Sequence, residues 1–211
     1  MKVNKKYKGL VTKKFNEFYL VELDKDETSV INKKFLCKIK KSVNFRNQLV
    51  FVGDEVIVHQ IDLQSKRATI ESLVKRNNLL ERPSVANISN IYVICSVEEP
   101  KLNLSQVNKF LISSEQLGVE VSLVLTKCDL ITEEKRLLLI EKFHQWGYQA
   151  ITLNLNNPEN LRTLLIELKK KKCSIFMGPS GVGKTTLLNM IIPGLDNTTA
   201  PVSSKITRGK N

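Results

Sequence analysis

The sequence predicts an α/β protein in two parts: a small antiparallel β-barrel, then a mainly parallel sheet with helices on its faces. Residues 1–75 contain short runs of aromatic and β-branched residues broken by turn signals, and no run there carries a long helical period. From about residue 85, buried-strand runs alternate with helical segments, the pattern of a parallel sheet. A chain of 211 residues can hold two such domains. We therefore predict domains at 1–75 and 76–211.

The first domain is predicted from four strand-like runs. YKGLVTKKF, EFYLVEL, KKFLCKIKK and DEVIVHQI mix aromatic and β-branched residues with polar ones, and Gly53 followed by Asp54 marks a turn. A basic, aromatic-bearing five-stranded barrel of the oligonucleotide-binding (OB-fold) type fits this pattern. An SH3-like barrel fits it as well.

The second domain is predicted from four strands and the helices between them. The strands are ISNIYVICSV, VEVSLVLTKCDL, YQAITLNL and CSIFM. The first helix is NLSQVNKFLISSEQLG, and Thr132 begins and Gly147 ends the second. Pro158 lies in the first turn of the third helix. That helix ends in the lysine run 169–172, because the helix dipole favours positive charge at a C-terminus. A fourth helix follows the CSIFM strand.

The charge and the cysteines restrict the class of protein. The 33 Lys and Arg exceed the 21 Asp and Glu, for a net charge of +12. Residues 1–50 carry a surplus of eight positive charges, which favours a phosphate-rich partner, nucleic acid first and anionic membrane second.

No apolar run is long enough to span a bilayer. The four cysteines are far apart, which suits reduced thiols in a cytoplasmic protein, and we expect a monomer.

A phosphate-binding loop is predicted between the CSIFM strand and the last helix. GPSGVGKT matches G-x-x-x-x-G-K-[ST] at every fixed position, and its glycines let backbone N–H groups surround phosphate oxygens. Lys184 is expected to reach the β- and γ-phosphates, and the Thr185 hydroxyl to ligate Mg²⁺. The predicted phosphate-binding residues are Gly178, Pro179, Ser180, Gly181, Val182, Gly183, Lys184, Thr185 and Thr186.

A second motif favours guanine as the base. Thr126, Lys127, Cys128 and Asp129 follow a buried strand, at the edge where ligands collect in open α/β sheets. The Asp129 carboxylate can accept hydrogen bonds from guanine N1–H and the 2-amino group, which adenine does not offer together. The Lys127 side chain can lie along the base. A bare T-K-x-D tetrapeptide is weak evidence alone, and it gains weight beside a phosphate loop in the same sheet.

The order of the two motifs is inverted. In most GTPases the phosphate loop comes first, whereas here Thr126–Asp129 precedes Gly178–Thr185. That order, behind a basic β-domain, resembles the circularly permuted GTPases of ribosome assembly, and the match is closest to the RsgA (YjeQ/YloQ) family. The resemblance covers the whole chain through VGDEVIV, KRNNLLERPSVANISNIYVI, LTKCDL, GPSGVGKTTLLN and SSKITRGKN.

The resemblance implies an OB-type barrel followed by a permuted G domain that uses GTP, GDP and Mg²⁺. It also implies GTP hydrolysis stimulated by the small ribosomal subunit, with ribosomal RNA as a partner. Basic residues near the N-terminus are candidate phosphate contacts: Lys5, Lys6, Lys8, Lys13 and Lys14. The rings of Tyr7 and Phe15 could stack on bases or fill the barrel core, and we favour the core.

The sequence departs from the family pattern at three places. Thr126 replaces the usual Asn, so bracing of the phosphate loop is expected to weaken. LNLNN replaces the Ser-rich segment after the third strand. The family continues from Arg-Gly-Lys into His-Thr-Thr, whereas this sequence has Asn211 and ends before the Asp-x-Pro-Gly motif and the zinc-binding segment. We therefore expect an incomplete, C-terminally truncated G domain without zinc ligands, which binds guanine nucleotide weakly and hydrolyses GTP slowly, and we assign no catalytic residue.

Two other function classes stay open. The chain could be a non-catalytic RNA-binding protein with a degenerate nucleotide pocket, which would bind nucleotide without turnover. It could instead be an ATP-dependent kinase or transport ATPase, in which SLVLTKCD would be a metal-binding strand.

Overall fold

The computed structural model describes residues 2–3, 5–24, 34–40, 49–155, 157 and 161–192. Residue contacts divide the chain into two compact units, Met1–Asn87 and Ile88–Asn211. The domain boundary proposed from the sequence, between residues 75 and 76, lies before this division.

The first unit is built around a closed barrel. Its described strands are β1 (Lys2–Val3), β2 (Tyr7–Lys14), β3 (Tyr19–Leu23), β4 (Lys34–Ile39), β5 (Glu55–Asp62), β6 (Arg67–Leu73), β7 (Leu79–Glu81) and β8 (Ser84–Ala86). Strands β2 to β6 close the barrel, because β5 pairs with both β2 and β6, and β4 pairs in parallel with β6. Strand β1 pairs with β5, and β7 pairs with β8 in a separate hairpin. The predicted five-stranded barrel is confirmed.

Alternation along the strands builds the barrel core. In β3, Tyr19, Val21 and Leu23 are buried while the residues between them are half-buried, because successive side chains point to opposite faces. Phe35 on β4 and Val58 on β5 are fully buried in the same cluster. The mixed apolar and polar runs in the sequence therefore have one face inside the barrel and one face outside.

A buried ion pair joins the residue before β5 to the segment after β6. The Asp54 carboxylate is fully buried and accepts hydrogen bonds from Arg76 Nε at 2.6 Å and from Arg76 Nη2 at 2.7 Å. It also accepts from the Phe51 amide at 2.7 Å. The guanidinium lies 5.0 Å from the centre of the Phe51 ring, and its bond to Asp54 raises the pKa of Arg76. The pair is bidentate and satisfied, so removal of either partner leaves a charge without its counterpart.

The second unit is a parallel sheet with four described helices. The strands are β9 (Asn90–Ser96), β10 (Glu120–Thr126), β11 (Ala150–Thr152) and β12 (Ser174–Met177), and the helices are α1 (Leu104–Glu115), α2 (Glu133–Gln145), α3 (Leu161–Lys170) and α4 (Lys184–Ile191). The strand order is β11-β10-β9-β12, with every pairing parallel. The predicted alternation of strands and helices is confirmed, and it puts the carboxyl ends of all four strands at one edge.

Two of the helices begin at side-chain caps. Asn103 accepts a hydrogen bond from the Gln106 amide at the start of α1, and Thr132 accepts one from the Lys135 amide at the start of α2. These bonds satisfy amides that lack partners within a first helical turn. Pro158, predicted in the first turn of the third helix, lies outside the described residues. In the part of the chain that is described, no helix is long and apolar enough to cross a membrane.

Candidate functional site

Three loops meet at the carboxyl edge of the parallel sheet. The phosphate loop, residues 178–183, follows β12, and the predicted guanine motif, residues 126–129, begins at the last residue of β10. The third loop, residues 97–102, joins β9 to α1 and is called the 97–102 loop. Because β9 is a central strand, its loop lies between the other two along the edge.

The phosphate loop has the curled backbone that its glycines predict. Gly178, Gly181 and Gly183 all have positive φ, at 145°, 81° and 92°. Gly183 is the residue before α4, so the loop leads directly into the free amides of that helix N-terminus. Thr185 and Thr186, in the first turn of α4, are exposed. The arrangement can hold an anion against backbone N–H groups.

Lys184 is half-buried and bonds to its own loop. Its Nζ donates to the carbonyl oxygen of Gly178 at 2.9 Å and to that of Pro179. Burial lowers the pKa of Lys184, and the nearby Cys95 thiol acts in the opposite direction. A partly desolvated ammonium has more to gain from an anionic partner than an exposed one. A phosphate group in the loop would offer that partner in exchange for the two neutral carbonyls.

Thr126 connects the guanine motif to the phosphate loop. Its side chain is fully buried, and Oγ1 lies 2.7 Å from the Val182 carbonyl oxygen and 3.2 Å from the Cys95 carbonyl oxygen. A hydroxyl has a single hydrogen, so the shorter contact to Val182 is the stronger bond. The two predicted motifs, far apart in the sequence, are therefore in contact at the carboxyl edge of the sheet. The expectation that Thr126 braces the phosphate loop less strongly than the Asn usual in the family stays a prediction.

The next three residues differ in exposure. Lys127 has a left-handed backbone, with φ 56°, and its Nζ donates to the Glu99 carbonyl oxygen. Cys128 is half-buried, its Sγ lies 3.3 Å from the Leu125 carbonyl oxygen, and burial raises the pKa of the thiol. Asp129 is exposed, in a short 3-10 turn over Cys128–Leu130. Of the three, Asp129 has the charged acceptor that a base could reach from solvent.

The residues present fit a magnesium ion that is held mainly by phosphate. Within the described ranges, no group of three His, Cys, Asp or Glu side chains could hold a metal ion. The exposed Thr185 hydroxyl lies beside Lys184 at the start of α4, and Mg²⁺ prefers oxygen ligands and often has only one or two from the protein. Thr185 is therefore a hydroxyl ligand that the start of α4 can offer.

The five candidate lysines of the barrel have different surroundings. Lys6 forms an ion pair with Glu71 at 2.9 Å, and Lys8 forms one with Glu55 at 2.8 Å. The bond to Glu55 raises the pKa of Lys8. These two ammonium groups already have carboxylate partners on the barrel, which makes them weaker candidates for phosphate contacts.

The aromatic residues near these lysines also differ. Tyr7 packs against the barrel core, as we expected, but Phe15 is 45% exposed, so the core prediction is wrong for Phe15. Phe15 directly follows β2, and the Lys13 ammonium lies over the Phe15 ring, 5.4 Å from the ring centre. Lys14 lies 5.3 Å from the centre of the Phe51 ring. The three consecutive exposed residues Lys13, Lys14 and Phe15 are called the Lys13–Phe15 surface.

Sequence reasoning missed the 97–102 loop. Its fully buried parent strand, β9, was a signal, because a loop after a central parallel strand lies at the ligand edge. The loop has no motif of its own, so its contact with Lys127 appears only in the structure. The segment SSKITRGKN, used for the family resemblance, lies outside the described residues.

Comparison with known proteins gives one consistent family. The family model described as RsgA GTPase matches residues 72–211. The "Small ribosomal subunit biogenesis GTPase RsgA" of Prochlorococcus marinus (strain NATL2A) is 37% identical, over 97% of this chain and 68% of the relative. The protein of the same name from Parasynechococcus marenigrum (strain WH8102) is 34% identical, over 96% of this chain and 68% of the relative. The chain thus spans about two thirds of the length of these relatives.

Solved structures agree with the sequence comparison. YjeQ from Thermotoga maritima superposes with a TM-score of 0.78 at 29% identity, over 90% of this chain and 66% of that chain. YloQ, described as a circularly permuted GTPase, superposes with a TM-score of 0.75 at 24% identity, over 88% of this chain and 64% of that one, and at that identity it supports the fold alone. The inverted order of the two motifs has its counterpart in that permuted fold. The chain belongs to the RsgA GTPase family.

Proposed function

We propose that this chain binds GTP and GDP with Mg²⁺ at the carboxyl edge of its parallel sheet, hydrolyses GTP, and acts on the small ribosomal subunit through its RNA. GTP hydrolysis and the small ribosomal subunit enter this proposal from the names of the relatives. The observation that carries the nucleotide part is the bond from the Thr126 hydroxyl to the Val182 carbonyl oxygen. It joins a base-reading motif and a phosphate loop in one unit of this chain.

Each predicted residue has a role that its surroundings support. Residues 178–183 and the N-terminus of α4 hold the phosphates, and Lys184 neutralises their charge. Thr185 contributes its hydroxyl to Mg²⁺, which neutralises charge on the phosphate oxygens. Lys127 lies along the base, and Asp129 accepts hydrogen bonds from its Watson–Crick edge. Cys128 keeps a neutral thiol, because burial raises its pKa.

Replacement of Asp129 by alanine tests the choice of base. Wild-type protein should bind GTP in preference to ATP, and Asp129→Ala should weaken GDP binding about 10- to 100-fold, because two charge-assisted hydrogen bonds are lost. Binding of ATP should change little. Competition of GTP and ATP against a fluorescent GDP analogue measures both. Glu134→Ala, another exposed carboxylate in the same unit, is the control. Equal affinity of the wild type for GTP and ATP contradicts the guanine assignment.

The Lys13–Phe15 surface is the proposed contact with ribosomal RNA. Lys13 and Lys14 have no carboxylate partner among the described ion pairs. Lys13 lies over the exposed Phe15 ring and Lys14 over the half-buried Phe51 ring, and exposed lysines with one accessible ring suit phosphates and unpaired bases. The surplus of positive charge in residues 1–50 supports the same partner. Lys6 and Lys8 contribute less, because Glu71 and Glu55 already neutralise them.

Charge reversal tests this surface. The double variant Lys13→Glu, Lys14→Glu should lower co-sedimentation with purified small ribosomal subunits about tenfold and make its salt dependence shallower. Lys169→Glu with Lys170→Glu, the same change at the end of α3, should have a much smaller effect. If the two double variants bind subunits equally well, the Lys13–Phe15 surface is not the contact.

Phosphate release from GTP, with and without small subunits, tests the hydrolytic part of the proposal. A turnover that subunits do not raise contradicts stimulation by that partner. The expectation that these 211 residues hydrolyse GTP slowly stays a prediction, which the same assay measures.

A further inference from the structure

The 97–102 loop contacts each neighbouring part of the nucleotide site. The Glu99 carbonyl oxygen accepts a hydrogen bond from Lys127 Nζ. On the phosphate-loop side, a Cβ built on Gly181 would lie 3.5 Å from Pro100 Cδ, so these two residues are near neighbours. On the α2 side, Glu98 forms an ion pair with Lys135 at 3.1 Å. The position of this loop therefore decides where the Lys127 ammonium is held.

The bond between the loop and Lys127 joins two residues with unusual backbones. Glu99 has φ 50° and Lys127 has φ 56°, both in the left-handed region. Residues other than glycine adopt this region at a cost and do so where the surrounding structure holds them. The two left-handed residues are bonded to each other at the edge where the base is proposed to lie. Such a paired arrangement indicates a positioning role.

Ser96 is the residue that holds the loop in this shape. It is the last residue of β9, is 2% exposed, and its Oγ donates to the Pro100 carbonyl oxygen at 2.6 Å, whereas the other side-chain bonds to the middle of the loop come from the exposed Lys135 and from Lys127 itself. Two backbone bonds fix the ends of the loop, from the Val97 amide to Thr126 and from the Leu102 amide to Val97. The middle of the loop has no such backbone bond among the described contacts, and Ser96 supplies its link to the sheet.

Packing does not replace this hydrogen bond. A cavity of about 30 Å³ lies between the loop and the phosphate loop, lined by Ser96, Pro100, Leu102 and Val182 among others. That space can hold water, so the side chains that line it do not fill the gap between the two loops. The Ser96 hydroxyl is then a main restraint on the Pro100 carbonyl, and through it on the adjacent Glu99 carbonyl.

We propose that Ser96 is a positioning residue for guanine nucleotide binding: its hydroxyl holds the 97–102 loop so that the Glu99 carbonyl keeps the Lys127 side chain against the base. This inference rests on the proposed nucleotide-binding function. The effect passes from Ser96 to Pro100, then to Glu99 and Lys127, and Ser96 itself touches no nucleotide. Replacement of Ser96 should therefore matter only while Lys127 has an ammonium group to be held.

The test is a double-mutant cycle on the 211-residue chain, read as the Kd of a fluorescent GDP analogue. Ser96→Ala should weaken binding about 3- to 10-fold, as expected for the loss of one buried hydrogen bond. Lys127→Met keeps a long side chain but removes the ammonium. In that background Ser96→Ala should change the Kd less than about twofold, because coupled residues are not additive.

Ser114→Ala is the matched control. Ser114 is also fully buried; its Oγ donates to the Phe110 carbonyl oxygen at 2.7 Å on α1 and lies 3.7 Å from Met177 Sδ at the end of β12. It should cost a similar amount of thermal stability and leave the Kd within about twofold of wild type. Ser96→Cys, which keeps a weaker donor in a slightly larger side chain, should give an intermediate Kd and serves if Ser96→Ala does not fold.

The outcomes separate this inference from the proposed function. If wild-type protein does not bind GDP, both fall. If it binds GDP but Ser96→Ala behaves like Ser114→Ala, or weakens binding equally in the Lys127→Met background, the positioning role alone is overturned. A Ser96 effect that disappears with Lys127→Met supports it.

Discussion

Replacement of Gly178 by alanine should weaken nucleotide binding and destabilise the second unit. An added Cβ would lie 2.1 Å from the Ile94 carbonyl oxygen and 3.1 Å from the carbonyl carbon, both main-chain atoms of β9. Strand β9 cannot move away without breaking its hydrogen bonds to β10 and β12, so the phosphate loop must move instead. The φ of 145° at Gly178 adds a backbone cost for any other residue. We expect a loss of about 2–5 kcal/mol in stability and at least about a tenfold rise in the Kd for GDP.

Gly118→Ala separates the clash from the backbone cost. Gly118 also has a positive φ, 64°, but a Cβ there would meet no atom within 4 Å. It should lose about 1–2 kcal/mol and keep wild-type affinity for GDP. Thermal unfolding and a GDP titration of both variants make the comparison. Equal GDP affinity of the two variants would show that the phosphate loop does not depend on this close approach.

Asp54→Asn should destabilise the barrel by about 3–5 kcal/mol, as expected when one partner of a buried ion pair is removed. The substitution keeps the shape of the side chain but leaves Arg76 without its carboxylate, and the two short bonds to the guanidinium are lost or weakened. The Phe51 amide also loses a charged acceptor. Chemical denaturation followed by far-ultraviolet circular dichroism measures the free energy of unfolding.

The control for Asp54 is an exposed ion pair in the same unit. Glu17 and Lys38 are 3.9 Å apart, with side chains 80% and 58% exposed, so Glu17→Gln should change stability by less than about 1 kcal/mol. If Asp54→Asn is as stable as Glu17→Gln, the buried pair is not a principal restraint between the start of β5 and the segment after β6.

Local patterns in the sequence predicted much of the fold. The barrel strands, the parallel strands and the start of α2 at Thr132 follow from alternation, helical periodicity and capping, all of which act over a few residues. The phosphate loop is predicted by its G-x-x-x-x-G-K-[ST] spacing between a predicted strand and a predicted helix, and its glycines have the positive φ that such a loop requires.

Exposure was less predictable than secondary structure. Tyr7 and Phe15 are aromatic residues in the same basic stretch, yet Tyr7 packs on the barrel core and Phe15 is exposed. The difference arises because Phe15 lies just beyond the end of β2, past the part of the strand whose inner face fills the barrel. Lys8 and Lys13 differ in a similar way, because Glu55 comes beside Lys8 only when β2 pairs with β5.

The sequence by itself determined the two-part fold, the two nucleotide motifs and their inverted order. Each strand, helix and motif is specified by residues close together in the chain, and the order of the motifs is read directly from it. Only the tertiary structure decided that the Thr126 hydroxyl bonds to Val182, that Glu99 holds Lys127, and that Asp54 pairs with Arg76. These contacts join residues more than twenty positions apart. They depend on which strands become neighbours and in what register, and the energy that selects a register is spread over the whole core rather than held in any local pattern.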